Sequence, residues 1–219
     1  MQVGVISDIH GNLVALEAVL ADMPAVDALV CAGDVVGYNP WHGECIEAVR
    51  EREIPTVAGN HDRAVVRGSS FAFNSLAGAG VEHARETLTD EQRYWLEGLP
   101  DERTAIEDRV KLVHGHPADP DRYTYPEDFG PHLLGDEDAL VLGHTHVQGH
   151  AVYDEGVVLN PGSVGQPRDG DPRAAYAVLD LADLSVTECR VPYDIDRVER
   201  AVREAGLPVR IGERLHEGR

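Results

Sequence analysis

Short apolar runs that end abruptly in polar clusters set the pattern of the first half of the chain. Residues 3–6, Val-Gly-Val-Ile, read as a buried strand, and Ser7-Asp8-Ile9-His10-Gly11-Asn12 follows at once. Leu13, Leu16, Val19 and Leu20 then recur at helical spacing, predicting a helix over about 13–22 with Pro24 beyond its end. A second strand over 28–31 leads into Ala32-Gly33-Asp34, and a second helix over about 42–52 follows. The run 54–58 predicts a third strand, entering a tight loop at Gly59-Asn60-His61-Asp62. Strand and helix alternating in this way imply a parallel sheet with right-handed crossovers. Ligands in such sheets bind beyond the carboxyl ends of the strands, where all three polar clusters fall.

The middle of the chain reads as two helices, 73–86 and 90–97, the second closed by Gly98-Leu99-Pro100. Strands return at 110–113, running into His114-Gly115-His116, and at 139–142, running into Gly143-His144-Thr145-His146. Shorter strands are expected around 151–153 and 157–159, an antiparallel pair at 175–180 and 185–191, and a closing helix over about 195–205. Residues 118–135, rich in Pro, Asp and Tyr, form the longest irregular stretch and a candidate lid. The expected organisation is a single domain over 1–206 and a loosely held tail over 207–219.

Composition narrows the class. A chain of 219 residues fits one large domain at roughly 100–200 residues per domain. No apolar run reaches the roughly 18 residues of a membrane span, and the N-terminus lacks a basic leader. Cys31, Cys45 and Cys189 form no CxxC and read as reduced thiols, which points to the cytoplasm. Acids outnumber bases 39 to 19, the net charge is −20, and Lys111 is the one lysine. That balance resembles cytoplasmic proteins of salt-accumulating halophiles; the alternative is an acidic protein from a GC-rich genome. It disfavours nucleic acid as a partner in dilute buffer, but not a small anionic substrate once salt screens the charge.

Five strands thus end in Asp8/His10, Asp34, Asn60/His61, His114 and His144/His146. Singly, each is a cap, a turn or a solvated imidazole. Together, carboxylates, imidazoles and an amide without a thiolate make a mixed oxygen and nitrogen donor set suited to Mn, Fe, Ni or Zn. They outnumber the needs of one metal, and two metals about 3.5–4 Å apart would use them all.

Asp8-x-His10, Gly33-Asp34, Gly59-Asn60-His61-Asp62, His114 and Gly143-His144-Thr145-His146 resemble the calcineurin-like metallophosphoesterase superfamily, in its order. Ser-Asp-Ile-His-Gly-Asn at the start and Asn160-Pro161-Gly162-Ser163-Val164-Gly165 near the end are similar to its small prokaryotic phosphodiesterase and phosphatase branch. The resemblance implies an α/β (α+β) fold, a four-layer αββα sandwich of two mixed β-sheets flanked by helices. It implies that Asp8, His10 and His146 hold one metal, that Asn60, His114 and His144 hold the other, and that Asp34 bridges them. His61 would donate a proton to the leaving oxygen or steady the phosphoryl group, with Asp62 orienting its imidazole. Asn12, at a helix start, and Arg168 are candidate substrate-binding residues; His42, His83, His132 and His216 are assigned to the surface.

The expected activity is hydrolysis of small phosphate esters by a metal-bridging hydroxide, with phosphodiester or nucleotide-type substrates ahead. Two divalent cations are the expected cofactors, manganese first, with nickel, iron or zinc as alternatives. A phosphomonoesterase or a dinucleoside polyphosphate hydrolase is the alternative enzyme, and an interaction scaffold with the same fold is the non-enzyme alternative. A small phosphorylated substrate, no membrane and an optional homo-oligomer complete the expected partners.

Overall fold

Val3 and Val5 face one side of β1 (Gln2–Ile6) and Ile6 the other, and both sides are buried. A strand buried on two faces must lie between layers. In the computed structural model, which describes residues 1–68 and 74–219, β1 is central to a four-stranded sheet. It pairs in parallel with β2 (Ala28–Cys31) and antiparallel with β8 (Ala174–Asp180), which pairs with β9 (Ser185–Val191). The second sheet has the order β3-β4-β5-β7-β6, built from β3 (Glu102–Ala105), β4 (Val110–Val113), β5 (Ala139–Val141), β6 (Gly149–Tyr153) and β7 (Gly156–Asn160). The β4–β5 and β5–β7 pairs are parallel and the edge pairs antiparallel, so both sheets are mixed, as expected.

Val3, Val5, Val30 and Leu179 of the first sheet meet Leu112, Val141, Val157 and Leu159 of the second in an apolar core between the sheets. The other face of the first sheet is covered by α1 (Leu13–Asp22) and α2 (His42–Glu51), with α4 (Ser75–Thr87) and α5 (Asp90–Glu97) outside them. Over the second sheet, Phe129, Leu133 and Leu134 cover Val113, Leu140, Leu142 and Val158. They come from the stretch expected as a lid, which folds into two 3-10 turns, Pro126–Asp128 and Pro131–Leu133, and is part of the layered core.

Three local expectations change. The run 54–58 makes a single parallel bridge, Thr56 to Cys31, in place of a strand. Pro55 has no amide proton to give to a ladder, and the Ala58 amide is spent on Pro100 O. The loop expected after it is the first turn of α3 (Asn60–Arg67), so Asn60 and His61 are held on a helix. The polar edge strand β3 carried no apolar alternation to reveal it. The helix expected over 73–86 begins at Ser75 behind an Asn74 cap, and Phe73 itself lies outside the described residues.

The last residues are not loosely held. Leu207, Ile211 and Leu215 recur at helical spacing, and all three are buried against Val198 and Val202 of α6 (Ile195–Glu204). The segment forms α7 (Arg210–Glu213) and a 3-10 turn, Arg214–Glu217. Ile211 is completely buried, so Ile211→Ala should destabilise the protein by about 2–5 kcal/mol, read as a lower midpoint in urea unfolding. A tail with no packing role would leave that midpoint unchanged.

Candidate metal centre

Side chains projecting beyond one end of the two sheets need backbone that turns sharply as each strand stops. Asp8, His10, Asp34, His144 and His146 all have φ between 50° and 69°, a left-handed conformation disfavoured for residues with a Cβ. Five of the seven expected ligands therefore carry local backbone strain, which the surrounding contacts must hold in place. Gly59 is needed for a different reason: a Cβ there would lie 1.9 Å from Asp34 Oδ1.

Three imidazoles are fixed by backbone carbonyls. His10 Nδ1 donates to Val36 O at 3.2 Å, His114 Nδ1 to Ala32 O at 2.7 Å, and His146 Nδ1 to Gln166 O at 2.5 Å. Each carbonyl selects the tautomer and turns the ring so that Nε2 faces inward, as an outer partner does for a metal-ligating histidine. His10 Nε2 and His146 Nε2 lie 3.0 Å apart. Burial holds both rings below the usual imidazole pKa, only partly offset by Asp34 beside His10 and by Asp8 beside His146. Two unprotonated nitrogens thus direct lone pairs at each other, with Asp8 Oδ1 3.7 Å from one and 3.2 Å from the other. Only a cation makes that arrangement favourable.

Asp34 joins this group to the next. Its Oδ1 accepts the His61 amide at 2.8 Å. Its Oδ2 is buried without a hydrogen bond among the described residues, 3.6 Å from His10 Nε2 and 3.4 Å from His114 Nε2. His114 Nε2 is also 3.1 Å from Asn60 Oδ1. Asp8/His10/His146 and Asp8/Asp34/His114 each converge tightly enough to hold an ion, and His10/Asp34/His61 does so as well. The orphaned Asp34 oxygen and the facing imidazoles fit two cations sharing a carboxylate. His144 stands apart: its Nε2 donates to Asp121 O at 3.1 Å, while its ring lies 4.9 Å from that of His114.

Without metal, a proton does part of this work. Burial pulls the His114 pKa down, but the charges of Asp34, 3.4 Å away, and of Asp8 outweigh it and hold the pKa up to about 9. Metal must displace that proton, so affinity should rise by about one decade per pH unit between pH 6.5 and about 9. The stability that protonated His114 gives the metal-free fold is full below pH 6.5 and is lost as pH rises through 9. Titrating metal at pH 7.5 in buffers of different ionisation enthalpy should reveal proton release; a buffer-independent heat would contradict it.

The remaining candidates divide. His61 lines a cavity of about 110 Å³ with Asp34, Asn60, Tyr123, His144 and Arg168. Its ring sits edge-on to His10 at 4.7 Å, and burial, partly offset by Asp34, lowers its pKa to about 4. Asp62 does not orient it: Oδ2 accepts the Gly59 amide at 2.9 Å and Oδ1 the Val36 amide at 3.1 Å. Those bonds brace the two loops carrying Asp34 and Asn60, and burial with the charge of Asp34 raises the Asp62 pKa to about 7. Asn12 caps α1 through Ala15 N at 3.1 Å and donates to Gly165 O at 3.0 Å, and it is fully buried outside the lining of the cavity. Arg168 stays a candidate, its guanidinium donating to Tyr38 OH at 2.9 Å within the cavity wall. His42, expected at the surface, is fully buried and accepts the Gly37 amide at 3.3 Å.

Sequence reasoning passed over Tyr123 and Arg63. Tyr123 stacks on His144 with ring centroids 4.1 Å apart and lines the cavity while remaining half exposed. Buried Arg63 binds Ala58 O at 2.7 Å, Asp101 at 3.2 Å and Asp121, tying α3 to the loop that carries Tyr123. The one available signal was their position: Arg63 follows the Asn-His-Asp cluster, and Tyr123 lies in the long irregular stretch.

The model of the calcineurin-like phosphoesterase superfamily domain matches residues 1–184. An uncharacterized protein of Methanocaldococcus jannaschii is 34% identical over 99% of this chain and 98% of its own length. Phosphodiesterase YfcE of Escherichia coli is 33% identical over 82% of this chain and 88% of its own. The crystal structure of a metallophosphoesterase from Sphaerobacter thermophilus superposes over the whole of both chains, with a TM-score of 0.86 and 35% identity.

Proposed function

Because the chain belongs to the calcineurin-like phosphoesterase superfamily, we propose that its metal centre hydrolyses small phosphate esters, phosphodiesters or nucleotide-type esters ahead of monoesters. The observation that carries this reading is the set of three carbonyl-locked imidazoles whose Nε2 atoms converge on Asp8 and Asp34. Two divalent cations there would acidify water and neutralise phosphoryl charge. Manganese is the first choice, with nickel, iron or zinc as alternatives for the same oxygen and nitrogen donors.

Asp8, His10 and His146 would hold one cation, and Asn60 and His114 the other, with Asp34 between them, a division supported by the close approach of Asp8, His10 and His146 and of His114 to Asn60 and Asp34. His144, whose Nε2 is committed to Asp121 O and whose ring lies 4.9 Å from that of His114, would join the second set. His61, buried and neutral at pH 7, gives a phosphoryl oxygen an N–H hydrogen bond; a proton donor would need the charged imidazolium that its surroundings disfavour. Arg168, in the wall of the same cavity, neutralises the substrate. Asp62 acts indirectly, keeping the Gly59 and Val36 loops in register.

Among the described residues no helix is long and apolar enough to cross a membrane. Three unpaired cysteines, two of them buried, support a cytoplasmic setting. The test is hydrolysis of para-nitrophenyl phosphate and bis(para-nitrophenyl) phosphate, side by side, by metal-stripped protein reloaded with Mn, Ni, Zn or Mg. Metal-dependent cleavage led by the diester is expected. Monoester preference would favour the phosphatase reading, and a folded protein inert with every metal would favour a scaffold.

A further inference from the structure

The first residue of α2, His42, is a completely buried imidazole outside the metal centre. Its Nδ1 accepts the Gly37 amide at 3.3 Å, so its proton sits on Nε2, which donates to His83 Nδ1 at 3.1 Å. His83 belongs to α4 and is only partly buried, so this chain of bonds runs outward to the surface. Burial, reinforced by the like charges of His83 and His61, lowers the His42 pKa to about 3, and the ring stays neutral.

The amide that His42 holds belongs to a strained and crowded turn. Gly37 and Tyr38 are consecutive left-handed residues, with φ of 104° and 51°, and such backbone persists only where its surroundings over-determine it. A Cβ on Gly37 would lie 2.3 Å from His61 Nδ1, so the His61 ring rests against the turn itself. A Cβ on Gly80 would lie 2.1 Å from Tyr38 N, so the helix that carries His83 also presses on the turn. The Tyr38 ring lies 4.9 Å from that of His61, and its hydroxyl accepts from Arg168 at 2.9 Å, all three residues lining the metal cavity. Gly37 and Tyr38 thus set both of the groups assigned to the phosphate of the substrate, and His42 anchors their backbone.

We propose that His42 is a positioning residue for phosphate-ester hydrolysis: held by His83, it fixes the Gly37–Tyr38 turn against His61 and Arg168. The inference rests on the roles proposed above for His61 and Arg168, and it places His42 in no contact with substrate. It also gives α4 a part in the site, through His83 and Gly80.

A double-mutant cycle tests it. In metal-loaded protein, His42→Leu should lower kcat for bis(para-nitrophenyl) phosphate by roughly tenfold, a loss within the range of couplings between contacting residues. His42→Asn, whose Oδ1 can stand in for Nδ1 as acceptor of the Gly37 amide, should recover much of it. His83→Ala, at a partly exposed position, should give a smaller loss in the same direction. In a His61→Ala background the His42→Leu loss should shrink by roughly threefold or more, because the turn then has no ring to place. It should nearly vanish when Arg168→Ala is added. A purely structural role would cost the same in every background, and that result, or an unchanged kcat in His42→Leu, would overturn the proposal. Should His42→Leu fail to fold, His83→Ala carries the same cycle. Calorimetric titration of the same metal-loaded variants with inorganic phosphate reads the coupling without turnover. Coupled phosphate affinities in a protein that hydrolyses no ester keep the positioning role and sink the hydrolase. Turnover with additive losses sinks the positioning role alone, and a protein that neither binds phosphate nor turns over an ester sinks both.

Discussion

Asp34→Asn should abolish most metal-dependent turnover, by more than the roughly 10–100-fold that follows loss of a group merely orienting a ligand. The substitution is nearly isosteric, and an amide oxygen can still accept the His61 amide in place of Asp34 Oδ1. What disappears is the negative charge between His10 Nε2 and His114 Nε2, 3.6 Å and 3.4 Å from Oδ2. An amide has no second anionic oxygen to share between cations, so one metal should be lost or greatly weakened. A second readout separates this from misfolding. The His114 pKa, held up to about 9 chiefly by Asp34 against burial, should fall in the metal-free variant. NMR titration of the His114 ring checks that directly, and an unmoved pKa would contradict the assigned electrostatics.

His61→Ala should lower kcat by about 10²–10³, the loss typical of one preorganised donor to a developing oxyanion, with much less effect on metal affinity. The nature of the loss distinguishes two roles. If His61 protonates the leaving group, the deficit should shrink for para-nitrophenyl esters, whose leaving group needs no proton, and His61→Gln should be as impaired as His61→Ala. If it donates a hydrogen bond to the phosphoryl group, the deficit persists with para-nitrophenyl esters and His61→Gln recovers part of the rate. Its buried surroundings, which bring its pKa down to about 4, lead us to expect the second pattern.

The parts of this molecule legible in its sequence are those where one local rule decides the outcome. The runs at 3–6 and 139–142 are apolar on both faces, which only strands inside a layered core tolerate, and they form β1 and β5. Asp8, His10, Asp34, Asn60, His114 and His146 converge because each follows or sits beside a sheet end on the same edge. Where tertiary partners decide, the sequence is silent. Asp62 reads equally well as a partner for its neighbour His61 or as a brace for distant amides, and only the fold brings Val36 N to it. Asn12 looks available until Gly165 arrives from the far end of the chain to occupy its amide. His42 carries no apolar label, yet its ring is enclosed between Gly37 and His83. The terminal segment reads as a loose tail because Leu207, Ile211 and Leu215 are few and separated by charges, although their spacing is helical and all three are buried.

Whether two cations act together on a phosphate ester at this one site is read from the rate of bis(para-nitrophenyl) phosphate hydrolysis by metal-stripped protein, followed as manganese is added in known equivalents per chain at high protein concentration. No turnover without metal and a plateau at two equivalents are expected. A plateau at one equivalent would contradict the shared role of Asp34, and a flat response would contradict the metal-dependent hydrolase altogether.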